Sequence, residues 1–386
     1  MAGTKSWLDN LKLRLSWGLS GNAAVKAYQT LATVSSITAN SNYKAPMSLG
    51  NENLSWETTS AIDLGLDFSV LGGRINGGVD FYWTRTHDLL WFSKAPSSSV
   101  YTEVIDNVGK TKGNGVEITL NAVPVKTNDF LWNVNASATF SHDEVVELSN
   151  GAPQLIDGNE IFRVGEPIKA FYQYEVGDCW NIGEFDKYVE DNYTNQGKTF
   201  TKPYPNYGNP GTTKVVDQNG DGEITDADKI VYNRSPKAIF GMTNTFSYKG
   251  FSLSVQMMAR LGGYMSYEGY GLYTYDNSNW GDLNYWTPTN TATVIPTPGD
   301  DTGATTEYKS AIKIQKADFF KIKDITLAYQ FDKSVLKHVC LNSARVYCSF
   351  KNFITSSKID NYDSERGGAI SFPLSKQVVL GLNVTF

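Results

Sequence analysis

The stretch Gln377–Phe386, QVVLGLNVTF, alternates apolar and polar side chains, and this alternation decides the fold. One face of an extended strand would carry Val378, Leu380, Leu382, Val384 and Phe386. The other face is polar or small, and only Val379 departs from the pattern. A tilted strand of about ten residues with one apolar face can cross the hydrocarbon of a membrane. Because a half-buried strand of a soluble β-sandwich shows the same local pattern, the choice depends on how often the pattern recurs.

The same two-residue period recurs along the chain and predicts nine further strands. Leu11–Ser20, LKLRLSWGLS, alternates strictly between large apolar residues and polar or glycine residues. The other predicted strands are Glu57–Phe68, Arg74–Thr84, Gly115–Pro124, Leu131–Asp143, Ala238–Tyr248, Phe251–Leu261, Asp318–Phe331 and Ala344–Phe353. Within Asp318–Phe331 the apolar register changes phase, which predicts a β-bulge near Lys323-Asp324. Lys249-Gly250 has the length and the glycine of a tight hairpin turn.

The connections between these strands are sorted by length. Long connections cover 21–56, 85–114, 144–237, 262–317 and 354–376, and they alternate with shorter ones at 69–73, 125–130, 249–250 and 332–343. Outer-membrane barrels have brief periplasmic turns at one rim and long extracellular loops at the other, whereas a sandwich has no reason for this sorting. We therefore predict an all-β fold, an antiparallel transmembrane β-barrel, with the carboxy terminus at the short-turn, periplasmic rim.

Composition limits the possible functions. The 386 residues carry a formal net charge of −6, so no electrostatic feature favours nucleic acid as a partner. Aromatic residues make up 13% of the chain, an excess that suits interfacial girdles or a sugar-binding surface. Mean hydropathy is −0.33 and no run of about 18 apolar residues occurs, which argues against membrane-spanning helices.

Export and cysteine chemistry give further expectations. The first residues, MAGTKSWLDN, do not have the pattern of a secretion signal. A barrel has to be exported, so the membrane interpretation predicts that the natural amino terminus lies upstream and that this chain is a carboxy-terminal piece. The three cysteines, Cys179, Cys340 and Cys348, show no disulfide or metal-binding spacing, and Cys348 falls in the apolar register of its strand.

Charged residues on the polar faces of the strands are expected to line a wet lumen. They are Arg14, Asp63, Asp67, Asp80, Glu117 and Arg260. These charges would be costly in lipid but are ordinary on the inner wall of a barrel.

Several segments resemble the carboxy-terminal half of the SusC/RagA family of TonB-linked outer-membrane transporters. They are Leu11–Asn22, Asn53–Trp83, Asn107–Leu120, Asp217–Lys229, Asn244–Val255, Phe319–Tyr329 and Phe372–Phe386, the last reading FPLSKQVVLGLNVTF. The resemblance implies a 22-stranded barrel filled by an amino-terminal plug and driven by the TonB complex. It also implies a SusD-like surface lipoprotein as partner and the uptake of oligosaccharides or peptides.

The chain departs from this family pattern in its extent. The plug, the TonB-contacting segment and about a dozen strands are not in the sequence, so about ten strands of the implied barrel are expected. The two edge strands would then lack hydrogen-bonding partners for their backbone groups, and lipid cannot supply the missing bonds. We expect that the piece alone neither closes nor transports.

The segment 217–228, DQNGDGEITDAD, matches a calcium-binding loop within the predicted extracellular connection 144–237. Side chains at alternate positions could supply oxygen ligands, namely Asp217, Asn219, Asp221, Glu223 (through its backbone carbonyl), Thr225 and Asp228. The usual glutamate at position twelve is the shorter Asp228, which predicts weak Ca²⁺ binding or tolerance of Mg²⁺. A turn rich in Asp, Asn and Gly without metal is the alternative. The expected role is to rigidify the connection.

The connection 262–317 is rich in aromatic residues among Gly, Asn and Asp. It is predicted as an extracellular surface for a ligand or a partner, with candidate residues Tyr270, Tyr273, Trp280, Tyr285 and Trp286. A surface loop packed on itself would have the same composition.

No motif of a zinc hydrolase or a serine hydrolase occurs, and we predict that the protein is not an enzyme. The predicted function is TonB-dependent nutrient import through the outer membrane. Two alternatives remain: a complete smaller porin or barrel-borne adhesin, and a secreted glycan-binding or glycan-hydrolysing β-protein.

Overall fold

The structure is a computed structural model. Its main element is a ten-stranded antiparallel sheet. The described residues are 7–22, 31, 33–36, 44–94, 98, 103–107, 109–148, 151–271, 284–297, 306–336, 341–359, 364–368 and 374–386. The strands of the sheet are β1 (Leu8–Asn22), β2 (Glu57–Val70), β3 (Ile75–His87), β4 (Gly109–Lys126), β5 (Phe130–Leu148), β6 (Ala238–Tyr248), β7 (Phe251–Leu261), β8 (Phe319–Gln330), β9 (Ser343–Ser357) and β10 (Gln377–Thr385). Each strand pairs with its neighbours in chain order.

All ten predicted strands are confirmed, together with their alternation. Gln256 pairs with Asp324 and Met257 with Ile322, so Lys323 is the extra residue of the predicted bulge. At the hairpin turn, Lys249 and Gly250 both have positive φ, of 44° and 88°. Turns of this kind match the right-handed twist of paired strands.

One face of the sheet is a continuous exposed apolar surface. A row of paired residues crosses the first five strands through Leu15, Leu64, Phe81, Val116 and Phe140. Large side chains on this face are exposed on interior strands too, with Phe81 40% and Leu327 50% exposed. A soluble protein would bury side chains of this size, so the exposed face indicates a lipid-facing surface.

The connections are sorted between the two rims as predicted. Short connections at 71–74, 127–129 and 249–250 and the intermediate one at 331–342 lie at one rim. Because successive strands run in opposite directions, the long connections lie at the other rim. Among the described residues, no helix has the length and apolar character needed to cross a bilayer.

The long connections contain their own secondary structure, which the sequence pattern does not predict. The connection between β5 and β6 holds a four-stranded sheet of Gln154–Asp157, Glu160–Arg163, Ala170–Tyr174 and Lys229–Asn233. It also holds the strand pair Val176–Gly177 and Lys214–Val215, the helix Glu184–Asn192, and 3₁₀ turns at Thr194–Gln196 and Asp226–Asp228.

The remaining connections contain shorter elements. Between β7 and β8, Tyr264–Ser266 pairs with Ile314–Lys316, and helices cover Glu268–Gly271 and Thr306–Ile312. Between β1 and β4 a second four-stranded sheet joins Thr33–Ser36, Lys44–Leu49, Glu103–Asn107 and Leu90–Lys94. A helix at Lys333–Leu336 and a 3₁₀ turn at Ser364–Arg366 complete the described elements.

Candidate functional site in the long loops and on the inner wall

The two longest connections are joined into one unit, which we call the loop assembly and define as residues 151–237, 284–297 and 306–312. The indole Nε1 of Trp286 donates to Asn181 Oδ1 at 2.9 Å. Two backbone bonds cross the same junction, from Cys179 N to Thr293 O at 2.8 Å and from Thr297 N to Gly211 O at 2.9 Å. The junction is therefore formed by backbone hydrogen bonds as well as by side chains.

The loop assembly is held together by a buried aromatic cluster. Its buried aromatic members are Tyr174, Trp180, Phe185, Tyr204, Tyr207 and Tyr308. The rings meet mostly edge to face, with centroids 5.1 Å apart for Trp180 and Phe185, a geometry that aromatic quadrupoles favour. The Tyr207 hydroxyl donates to Val215 O at 3.0 Å, which satisfies its polar atom inside the cluster. Neighbouring Cys179 is buried, and burial raises the pKa of its thiol to about 12, so this cysteine is not a reactive one.

The predicted aromatic surface residues lie in different surroundings. Trp286 is buried at the junction, whereas Tyr285 is 37% exposed. Tyr270 belongs to the helix Glu268–Gly271, and its side chain lies outside the described residues, as do Tyr273 and Trp280. The interpretation of this connection as a ligand or partner surface stays a prediction.

Within the predicted calcium loop, Asp217 organises the first turn. Its Oδ1 accepts a hydrogen bond from Gly220 N at 2.6 Å, and its Oδ2 accepts from Gly222 N at 2.8 Å and from the Tyr193 hydroxyl at 2.9 Å. Burial alone would raise the pKa of Asp217, but these hydrogen bonds outweigh it and lower the pKa below its usual value. The Asp217 carboxyl group is thus held ionised.

The rest of the loop is built from short-range hydrogen bonds of the same kind. Asn219 Oδ1 accepts from Asp221 N at 2.8 Å, and Asp221 Oδ1 accepts from Glu223 N at 2.8 Å. Buried Asp228 accepts from Gln218 N at 2.9 Å and from Thr225 N at 2.8 Å. The side-chain oxygens of Asp217, Asn219, Asp221 and Asp228 therefore each accept hydrogen bonds from backbone amides of the loop.

The metal itself stays a prediction. Asp217 and Asp228 both accept hydrogen bonds from backbone amides of this loop, from Gly220 N at 2.6 Å and from Thr225 N at 2.8 Å respectively. In the described ranges, no group of three or more His, Cys, Asp or Glu side chains has the arrangement of a metal site. The hydrogen bonds alone give the loop a defined shape.

The polar face of the sheet carries the predicted charged residues and forms what we call the inner wall. Arg14 links β1 to two neighbouring strands, with Nε 2.8 Å from Asp67 Oδ2 and Nη2 2.6 Å from Asp80 Oδ1. Asp63 is further away, at 3.9 Å. Arg260 on β7 donates to Arg234 O at 3.0 Å, which ties the wall to the loop assembly.

A second ionic cluster joins the inner wall to the connection that precedes β10. Glu365 accepts from Lys321 at 3.0 Å and from Lys323 at 2.5 Å. The Lys321 side chain is almost fully buried. Sequence periodicity places both lysines on or beside the inner face, but it contains no signal for a glutamate that is 42 residues further along the chain.

Comparisons with known proteins agree with this architecture. The family model for the TonB dependent receptor-like β-barrel matches residues 5–353. TonB-dependent receptor P3 of Formosa agariphila is 29% identical over 372 residues, covering 92% of this chain and 36% of the relative. TonB-dependent receptor SusC of Bacteroides thetaiotaomicron is 29% identical over 407 positions, covering 98% of this chain and 38% of the relative.

A solved structure gives the same fold. The RagAB peptide transporter aligns over 99% of this chain and 41% of its own length, with a TM-score of 0.75 and 24% identity. The chain spans about two-fifths of the length of the relatives it matches. These relatives are receptors and transporters, in agreement with the prediction of a protein that is not an enzyme.

Proposed function

Because this chain belongs to the TonB-dependent receptor-like β-barrel family, we propose that it forms the carboxy-terminal part of an outer-membrane importer of large nutrients. One observation carries the proposal. A single sheet has a continuous apolar face, a charged inner wall and its long connections at one rim. This arrangement suits a pore wall whose lumen is wet and whose loops meet the cargo outside the cell.

The orientation and partners follow from the same proposal. The carboxy terminus, at the short-turn rim, would face the periplasm, and the loop assembly would face the outside. A SusD-like surface lipoprotein would cover the loop assembly, and the TonB complex would act through a part of the protein outside these residues. In support, the relatives that share the fold are described as TonB-dependent receptors and as the RagAB peptide transporter.

The cargo is proposed to be an oligosaccharide or a peptide. Both are long polar chains that need a wide wet lumen. The loop assembly exposes aromatic and amide groups, such as Tyr285, which can stack on sugar rings or on peptide groups.

Deletion of the coding sequence for these residues, in frame within its natural gene, tests the function. We expect loss of growth at low concentration of one nutrient class while growth on glucose is unchanged. A strain without TonB should show the same loss, and affinity purification of the tagged full-length protein should recover a surface lipoprotein. Uptake that persists in the strain without TonB would indicate a porin. A deletion that leaves uptake unchanged but abolishes attachment of the cells to a surface would indicate an adhesin.

We also propose that the segment 217–228 binds calcium. Ca²⁺ would be held by Asp217, Asn219, Asp221, Thr225 and Asp228 and by the Glu223 carbonyl, and it would rigidify the loop assembly. The double substitution Asp217→Ala and Asp221→Ala should lower the calcium content of the full-length protein by about one ion per chain and increase cleavage of the loop by trypsin. Asp191→Ala, an exposed carboxylate on the helix Glu184–Asn192, is the matched control. Unchanged calcium content would contradict the site.

A further inference from the structure

The outward face of the sheet carries basic residues directly beyond its apolar part, at the rim of the long connections. On β3 the outward residues from Ile75 to Trp83 are uncharged, and Arg85 and His87 follow them. The uncharged part is about 27 Å long along the strand. This length is comparable to the apolar band of an outer-membrane barrel, which is about 25 Å tall. Arg85 therefore lies at the boundary between the hydrocarbon and the lipid headgroups.

Two tryptophans mark the same boundary. Trp17 on β1 and Trp83 on β3 both pair with Ile62 of β2, so they lie at one level of the sheet. Trp17 is 67% and Trp83 48% exposed, and the indole Nε1 of Trp17 donates to Ser60 Oγ at 3.3 Å. Tryptophan is enriched where hydrocarbon meets water, because its ring is apolar and its N–H is polar. Arg85 pairs with Ser60, one step of the alternation further towards the headgroups.

Three outward side chains form what we call the outer basic patch, namely Arg85, Lys112 and His142. Arg85 pairs directly with Lys112 of β4, and His142 of β5 pairs with Asn114, the next outward residue of β4. All three side chains are exposed. The last outward residues of β6 to β9 at this rim are uncharged, namely Ala238, Leu261, Phe320 and Ser356. The patch is thus a local feature of β3 to β5.

The charges in this patch do not cancel. The Glu144 carboxylate lies 2.6 Å from Lys112 Nζ and 3.4 Å from His142 Nε2, so two basic groups share it. Arg85 lies on the far side of Lys112 and makes no hydrogen bond or ion pair in the described part of the chain. Like charges directly opposite each other destabilise a sheet, because their Cβ atoms are only about 5 Å apart. The pair of Arg85 and Lys112 is therefore suited to an anion from outside the chain.

The rest of the barrel does not cover the patch. Strands β3, β4 and β5 lie inside the sheet, with β2 and β6 on either side, so no further strand can pair beside them. The patch residues alternate along the strands with inner-wall residues such as Asp80 and Glu117, so they point away from the lumen. A domain that fills the lumen therefore cannot reach Arg85 or Lys112.

We propose that the outer basic patch binds the phosphate groups of lipids in the outer leaflet of the membrane. The inference rests on the proposed function, which places the rim of the long connections outside the cell. The guanidinium of Arg85 presents parallel N–H groups that suit two phosphate oxygens, and Lys112 adds a point charge beside it. Trp83, one step closer to the hydrocarbon, packs against the beginning of the acyl chains.

Lipid binding to the purified full-length protein in detergent tests the patch without the need for transport. Native mass spectrometry counts the bound lipids, and the probes are bisphosphorylated lipid A and the same lipid A without its phosphates. We expect the bisphosphorylated form to bind at least about tenfold more tightly, because the phosphates make the contacts with Arg85 and Lys112. Its affinity should fall as the ammonium acetate concentration rises.

Substitutions assign the bound lipid to the patch. Arg85→Gln and Lys112→Gln should each weaken binding of bisphosphorylated lipid A about tenfold. Glu144→Gln should strengthen it, because this change releases Lys112 from its protein carboxylate, and a misfolded variant would not bind more tightly. Lys187→Gln, the same charge change on the exposed helix Glu184–Asn192, should leave binding unchanged.

Two results would overturn the assignment of lipid to the patch. One is equal binding of lipid A with and without its phosphates. The other is binding by both Arg85→Gln and Lys112→Gln that equals that of the unsubstituted protein, and a changed oligomeric state in those variants would then identify a contact between protein chains. Nutrient uptake in a strain without TonB is a separate measurement, which tests the import function and not the patch.

Discussion

Asn244 is a polar residue on the lipid-facing side of the sheet, and a neighbouring tryptophan satisfies its amide. Its position in β6 lies between those of Met242 and Phe246, both of which face lipid. Trp132 Nε1 donates to Asn244 Oδ1 at 3.1 Å, and the Trp132 ring stacks on Phe246 with centroids 5.6 Å apart. Asn244 is consequently buried although it belongs to the apolar face.

This pair gives a prediction at the scale of single residues. Trp132→Phe keeps the ring stack but leaves the Asn244 oxygen without its donor, so it should lower the free energy of unfolding by about 1–3 kcal/mol. Adding Asn244→Val removes the unpaired oxygen and should restore most of the loss. Urea unfolding of the full-length protein in lipid bilayers measures both. A double variant no more stable than Trp132→Phe would contradict the role of the hydrogen bond.

Glu365 gives a prediction about pH. Burial opposes its ionisation, but the hydrogen bonds from Lys323 and Lys321 outweigh burial and lower its pKa below the ordinary 4.5. The stabilisation is therefore complete above about pH 4.5 and is lost as pH falls through the lowered pKa of the folded state. At neutral pH, Glu365→Gln should cost about 1–3 kcal/mol.

The pH dependence of this loss of stability shows whether the charge of Glu365 causes it. The stability difference between the protein and its Glu365→Gln variant, measured by urea unfolding, should be constant from pH 7 to 5 and should shrink at lower pH. Glu190→Gln on the exposed face of the helix Glu184–Asn192 serves as the control. A Glu365 difference that keeps its size down to pH 3 would show that the carboxylate charge is not responsible.

At the scale of elements, two glycines of the calcium-type loop differ in what surrounds them. Gly222 has a φ of 92°, and a Cβ there would collide with the Thr199 carbonyl. Gly220 has a φ of 69°, but only the flexible end of Lys198 is near it. The glycine at position six is thus required by contact as well as by backbone conformation.

Gly222→Ala should therefore disrupt the loop, whereas Gly220→Ala should cost only about 1 kcal/mol for its positive φ. Hydrogen exchange of the Thr201 amide, which donates to Gly222 O at 2.7 Å, reports the effect directly. We expect protection of Thr201 to be lost in Gly222→Ala and kept in Gly220→Ala. Equal protection in the two variants would mean that the Thr199 contact does not matter.

The elements that the sequence could predict are those that lipid constrains. Alternation is regular where one face meets lipid, with few exceptions such as Asn244, so the period of two located β1 to β10 and the bulge at Lys323. The period of two did not locate the strand ends that extend beyond the membrane. β4 begins at Gly109 and not at 115, because GKTKG there carries no apolar face. β5 likewise extends to Leu148 beyond the predicted 143.

The loop assembly could not be predicted for a related reason. The helix Glu184–Asn192 has only nine residues, and the strands around it have two to five. Segments of this length carry too little periodicity to be recognised. Contacts such as Trp286 with Asn181 join residues 105 positions apart, which no local pattern encodes. Composition did indicate aromatic packing, but it could not separate buried Trp286 from exposed Tyr285.

At the scale of the whole molecule, the two faces of the sheet should respond oppositely to charge. Ile118 faces lipid in the middle of β4, and its neighbour Thr119 lies on the inner wall. Ile118→Lys should cost about 2–4 kcal/mol if it lies at the bilayer midplane, whereas Thr119→Lys should cost little. Urea unfolding of the full-length protein in bilayers compares them. A soluble protein would show no such contrast in bilayers, so equal costs would count against the membrane assignment.

The junction at Asn181 and Trp286 also has an evolutionary meaning. It couples two connections that emerge from different hairpins, and backbone bonds at Cys179 and Gly211 form part of it. A recombination event that replaced only one of the two connections would leave half of this junction facing a foreign surface. The two segments are therefore expected to be inherited together, as a cassette, when members of this family diversify.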